Sequence, residues 1–69
     1  MMRDLSKLSG QDIDKAFLED MIMHRMGAIM MAQSVQSHIE HTEVKTLSAE
    51  IIKSQAEEIQ TMRRILGSL

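Results

Sequence analysis

Eight methionines and no cysteine make thioether sulfur the soft metal donor of this sequence. Met23, Met26 and Met30, here called the methionine stripe, are spaced by three and four residues, which brings side chains to one face of a helix. Thioether sulfur binds soft cations such as Cu(I) and Ag(I), and His24 could add an imidazole nitrogen. These four residues are the predicted metal site. Three other interpretations of the stripe remain open: contact with a protein partner, burial in a higher oligomer, and no role.

A second group of polar residues falls among the apolar positions of two helical segments: Asp14, His24, Arg25, Gln55 and Glu58. Burying a charge without a partner costs several kcal/mol, so these residues are expected to meet one another or to hold a ligand. One interpretation is a closed buried network in which Arg25 pairs with Glu58 or Asp14, and Gln55 caps His24. The alternative is a metal or small-ligand site that uses His24 and neighbouring thioethers. Contact between Arg25 and Glu58 would favour the closed network.

A third cluster contains His38 and His41, with Glu40 and Glu43 beside them. Imidazole and carboxylate groups at such short spacing could coordinate a metal ion. Histidines near the end of a helix also commonly bind the last backbone carbonyls, and that interpretation stays open.

Two helices are predicted to position these groups. Apolar residues recur with the helical period over residues 9–39, where Ser9 can cap the first turn, and again over residues 42–66. Residues 1–8 show no sustained period and are predicted to fray. The whole chain, residues 1–69, is therefore expected to be one small helical domain.

The length of the chain limits what two helices can bury. A chain of 69 residues without disulfides buries only about 60% of the surface that its unfolded form exposes. The apolar arc of the first helix spans about half of its circumference, more than one neighbouring helix can cover. We therefore predict an all-α fold, an antiparallel helical hairpin that forms a four-helix bundle as a homodimer, in which Met21, Met31 and Met62 fill the core.

Several classes of function are disfavoured. The formal charge of -2 and the single aromatic residue argue against nucleic-acid binding. No apolar run approaches the ~18–20 residues that span a bilayer. No glutamate stands three residues before a histidine, as in di-iron sites, and no zinc-protease, phosphate-loop or nucleophile motif occurs, so no enzyme activity is expected. The sequence as given carries no secretory signal, which predicts a cytoplasmic protein, or an exported one if a signal has been removed.

Three motifs in the two helical segments carry a family resemblance: Asp14-x-x-Phe17-x-x-x-Met21-x-x-His24, Ala28-x-x-Met31-Ala32, and Ile52-x-x-Gln55-x-x-Glu58-Ile59-x-x-Met62. Together they resemble the domain-of-unknown-function family 305, a ferritin-like helical group, from Asp14 to Leu66. The resemblance implies a four-helix arrangement of helix pairs and, for some relatives, export and copper or silver handling. Where that family usually has two adjacent histidines, this sequence has His24-Arg25, which replaces a possible ligand with a permanent cation.

Two functional hypotheses follow. The first is a non-enzymatic helical module that binds soft metal ions, Cu(I) or Ag(I), through methionine and histidine. The alternative is a structural module that dimerises or contacts another protein, with a closed polar core and no metal.

Overall fold

The computed structural model of the chain describes Leu5 and residues 10–69. Apart from Leu5, the segment predicted to fray and the predicted helix cap, Ser9, lie outside the described residues. Two long helices, α1 (Gly10–Val35) and α2 (Thr42–Ser68), are joined by a short 3₁₀ turn, Gln36–His38, and three extended or irregular residues. This part of the chain contains no strand, which confirms the prediction of an all-α chain.

The helices lie antiparallel. Gln36 Nε2 donates to the carbonyl oxygen of Lys45 beside the turn, and Arg25 bonds to Gln55 in the middle of the hairpin. Leu18 and Ile65 line one depression near the open end. The sequence separation between contacting residues of the two helices increases with distance from the turn, as expected for an antiparallel pair.

Both helix ends differ from their predicted positions. α1 stops at Val35, short of the predicted end at residue 39, because the chain tightens into the 3₁₀ turn and Ile39 then adopts an extended backbone with φ -74° and ψ 127°. The predicted helix extended to residue 39 because Ile39 continues the apolar period of α1. α2 runs past residue 66 to Ser68, whose hydroxyl donates to the carbonyl oxygen of Ile65 at 2.7 Å.

The hairpin buries few of its apolar side chains. Within the described residues, the buried apolar side chains are Ala16, Leu18, Ile22 and Ile59. Many large apolar side chains remain exposed: Phe17, Met23, Met26, Met30, Met31, Val35, Val44, Leu47, Ile51, Ile65 and Leu69. Met31 is therefore not core filler in the hairpin, whereas Met21 and Met62 are half-buried. The radius of gyration, 14.9 Å, exceeds the roughly 11 Å of a compact chain of this length.

Neither described helix contains an apolar stretch long enough to cross a lipid bilayer, in agreement with the sequence prediction.

Candidate functional site

An ion pair joins the two helices at mid-length. Arg25 projects from α1, and its Nη1 donates to Gln55 Oε1 at 2.7 Å and pairs with Glu58 Oε2. Gln55 and Glu58 are three residues apart, so they project from the same face of α2 and reach one guanidinium together. The Arg25 side chain is 27% exposed and that of Glu58 48%, so the pair sits at the edge of solvent. We call these three residues the polar cluster.

The polar cluster is smaller than the predicted network. Asp14 and His24 are both exposed, and the structure does not bring them to Arg25. His24 points about 100° away from Arg25 around the axis of α1, so α2, which faces Arg25, does not face His24. Asp14 precedes Arg25 by three helical turns, roughly 16 Å along the axis, which is beyond the reach of an ion pair. The hairpin therefore leaves Asp14 and His24 outside the polar cluster, and their place in a bundle stays a prediction.

The polar cluster is a poor site for a cationic ligand. Arg25 Nη1 already serves two acceptors, and its Nε is buried without a hydrogen-bond partner in the described structure. A fixed cation at this position disfavours a metal ion, because like charges repel at short distance. The contact between Arg25 and Glu58 favours the closed polar core over an open ligand site.

The methionine stripe lies away from the polar cluster. Met23 and Met30 are 72% and 67% exposed, and Met26 is 42% exposed. Met26 Sδ accepts a hydrogen bond from Arg63 Nη2 of α2 at 3.7 Å. The guanidinium occupies part of the sulfur surface and places a positive charge where a metal cation would bind. A site that uses all three thioethers therefore requires Arg63 to move.

His24 does not share the face of the methionine stripe. Residues one or two positions apart on a helix point in different directions, so the imidazole of His24 is turned away from Met23 and Met26. Of the four predicted ligands, the three thioethers thus share one face of α1, and His24 lies apart from them. The contact of Arg63 with Met26 is one that sequence reasoning misses, because it depends on the register between the helices.

The histidines beside the turn are also exposed. His38 ends the 3₁₀ turn, and His41 precedes α2, where it borders a depression of about 380 Å³ with Thr42, Glu43 and Val44. Over residues 10–69, no three histidine, aspartate or glutamate side chains are grouped so that they could hold a metal ion. His38 and His41 are therefore not part of a group of three such side chains that could bind a metal ion.

One side of the hairpin exposes apolar side chains from both helices. Phe17, Leu18 and Asp14 of α1 line a depression of about 200 Å³ with Ile65 and Leu69 of α2, so the free apolar edges of the helices lie on the same side. The exposed apolar side chains on this side of the two helices are here called the open face. They are Phe17, Met31, Val35, Val44, Leu47, Ile51 and Ile65.

The open face and the methionine stripe lie on opposite sides of the hairpin. On α1, Phe17, Met31 and Val35 fall within about 40° of one line, and Met26 lies about 180° from Phe17. Leu47, Ile51 and Ile65 form a similar line on α2. The polar cluster borders the open face at mid-length, with apolar side chains toward both ends.

Comparison with known families matches residues 1–66 to the family described as "Domain of unknown function (DUF305)". No curated protein matches the chain, and no solved structure matches it.

Proposed function

The chain belongs to the DUF305 family, and we propose that it is a non-enzymatic helical module that pairs with a second copy of itself to form a four-helix bundle. The open face is the observation that carries this proposal. Its apolar side chains come from both helices and lie on one side, as required for one hairpin to pack on another.

The amount of exposed surface supports a partner. The chain exposes 5430 Å², whereas a compact protein of 7.9 kDa exposes about 4400 Å². The elongated shape of the hairpin contributes to this excess, and the large apolar side chains of the open face are part of the exposed surface. A second hairpin would cover these side chains and complete a core that one hairpin leaves open.

The distribution of charge on this side favours a second copy as the partner. Arg25 and Glu58 lie near the middle of α1 and α2, and apolar side chains of the open face extend toward both ends. A two-fold axis through this level brings apolar ends against apolar ends and the two polar clusters against each other. The surface is thus self-complementary, as an isologous dimer interface must be.

The mass in solution tests the proposal. Light scattering or sedimentation over a range of micromolar concentrations is expected to give twice the 7.9 kDa of one chain. The same samples should retain the helical circular dichroism signal of the folded hairpin. A folded species that keeps the mass of one chain at all these concentrations would exclude the dimer.

Binding of Cu(I) or Ag(I) by the methionine stripe is our second candidate function. It is supported by the exposure of Met23 and Met30, which leaves two thioethers accessible on the side opposite the open face. Met26 can complete a three-sulfur set once Arg63 swings away. The two proposals use different sides of the hairpin, so one protein could perform both functions.

A further inference from the structure

We propose that the polar cluster is shared between the two copies of the dimer, so that Glu58 of each copy also accepts hydrogen bonds from Arg25 of the other. This inference rests on the proposed dimer and assigns the cluster a role within it. The shared cluster would select the partner and the register in which the hairpins pair.

The hydrogen-bonding capacity of the cluster supports sharing. An arginine side chain has five N–H donors, and Nη1 of Arg25 makes both contacts that the structure gives. About half of the Glu58 side chain remains exposed, so its carboxylate can accept further hydrogen bonds from outside the hairpin. A single hairpin therefore uses only part of what the Arg25 and Glu58 side chains can bond.

The cost of covering the cluster supports the same conclusion. When the open face packs against a partner, Arg25 and Glu58 lose water, and a desolvated ion pair needs additional hydrogen bonds to offset that loss. An apolar surface opposite the cluster would supply none. A second cluster at the same level supplies one more carboxylate and one more guanidinium group, and the resulting four charges can alternate in sign so that each has an opposite neighbour.

The shared cluster would also exclude other registers. Sliding one hairpin by a helical turn, about 5.4 Å, separates the two clusters, so each charged pair loses the opposite charges of the other copy. The apolar contacts alone distinguish poorly between such registers, because exposed methionine, leucine and isoleucine side chains adapt to one another. A polar group placed once in an apolar interface is a known means of specifying register and oligomer size.

Two reciprocal charge variants test the inference. Arg25→Glu gives a chain with two carboxylates in the cluster, and Glu58→Arg gives a chain with two guanidinium groups. Each variant alone should lose the dimer, because like charges meet both within and between copies. In an equal mixture, opposite charges meet only across the interface, so a heterodimer should form. We expect it to be tighter than either homodimer by at least about tenfold, the smallest effect expected from close charge pairs.

Native mass spectrometry distinguishes the heterodimer by its mass, and circular dichroism follows helix content in the same samples. If a variant alone unfolds, recovery of helix on mixing still supports a shared cluster. Arg64→Glu and Glu57→Arg make the same charge changes on the outward side of α2, where both residues are exposed. Each of these control chains should dimerise alone, and mixing them should change nothing.

The outcomes separate this inference from the proposed function. If the unmodified chain dimerises but mixing Arg25→Glu with Glu58→Arg restores no dimer, the shared cluster is wrong and the dimer stands. Retention of the dimer by Arg25→Glu alone has the same meaning. If the unmodified chain is a folded monomer throughout, the proposed function and the inference both fail.

Discussion

Arg63 of α2 donates from Nη2 to the Sδ of Met26 on α1, 3.7 Å away across the hairpin. This contact joins the helices on the side opposite the open face. It also places a permanent positive charge beside the central thioether of the methionine stripe. Any binding of a soft cation at the stripe must therefore work against Arg63.

Neutralising Arg63 should strengthen Cu(I) binding by the stripe. Arg63→Gln removes the repelling charge beside Met26, and we expect the Cu(I) affinity to rise by roughly tenfold, the effect of removing about 1.4 kcal/mol of repulsion. Titration of Cu(I) against a competing chelator under reducing conditions measures this change. Arg64→Gln, one residue along α2 and exposed, is the matched control and should leave the affinity unchanged.

The thioethers themselves provide the complementary test. Substituting Met23, Met26 and Met30 together by leucine preserves side-chain size while removing sulfur, and should abolish Cu(I) binding with no loss of helix content. Absence of binding by the unmodified chain, or equal binding by the leucine variant, would contradict a metal site at the stripe.

A charge on the open face should prevent dimerisation. Leu47 is 56% exposed in the hairpin and would be covered in the proposed bundle. Leu47→Glu should raise the dimer dissociation constant by at least about tenfold, because the new carboxylate would be buried without a partner. Sedimentation measures the shift. Ala49→Glu introduces the same charge two residues away, at an exposed position facing away from the open face, and should leave the dimer intact.

Removing Arg25 should destabilise the protein by leaving its acceptors without a donor. In Arg25→Met, Gln55 Oε1 and the Glu58 carboxylate lose their shared partner, and we expect the free energy of unfolding to fall by about 1–3 kcal/mol. In a single hairpin, the partial exposure of both charged side chains keeps this loss below the ~3–5 kcal/mol typical of a broken pair that is wholly buried, and covering the pair in the dimer would raise it toward that range. Urea unfolding at equal chain concentrations measures it.

Two further variants interpret that result. Adding Glu58→Met to Arg25→Met removes the orphaned carboxylate and should recover most of the lost stability. Arg64→Met, on the outward side of α2, should change stability by less than about 0.5 kcal/mol. An Arg25→Met protein as stable as the original would show that the ion pair contributes nothing to the fold.

Much of the fold could be predicted from local pattern. The helical period identifies both helices, and the gap in that period between residues 39 and 42 indicates that a turn joins them. The ends are less predictable, because Ile39 extends the apolar period beyond the last residue that is helical. Beyond Val35, Gln36 Nε2 donates to the carbonyl oxygen of Lys45 in the other helix, a contact that local pattern does not reveal.

The candidate site divides in the same way. The sequence by itself determined which residues share a helix face, and so indicated that Met23, Met26 and Met30 form one stripe and that Gln55 and Glu58 project together. Tertiary structure decided where α2 lies on the broad apolar arc of α1.

α2 packs against the side of the apolar arc of α1 where Leu18 and Ile22 lie. The other side of the arc, with Phe17, His24 and Met31, stays exposed. An apolar arc wider than one helix can accept a neighbour at either edge with similar burial of apolar surface. Only the packing between the helices, which also sets Arg25 against Glu58 and Arg63 against Met26, selects one edge and one register.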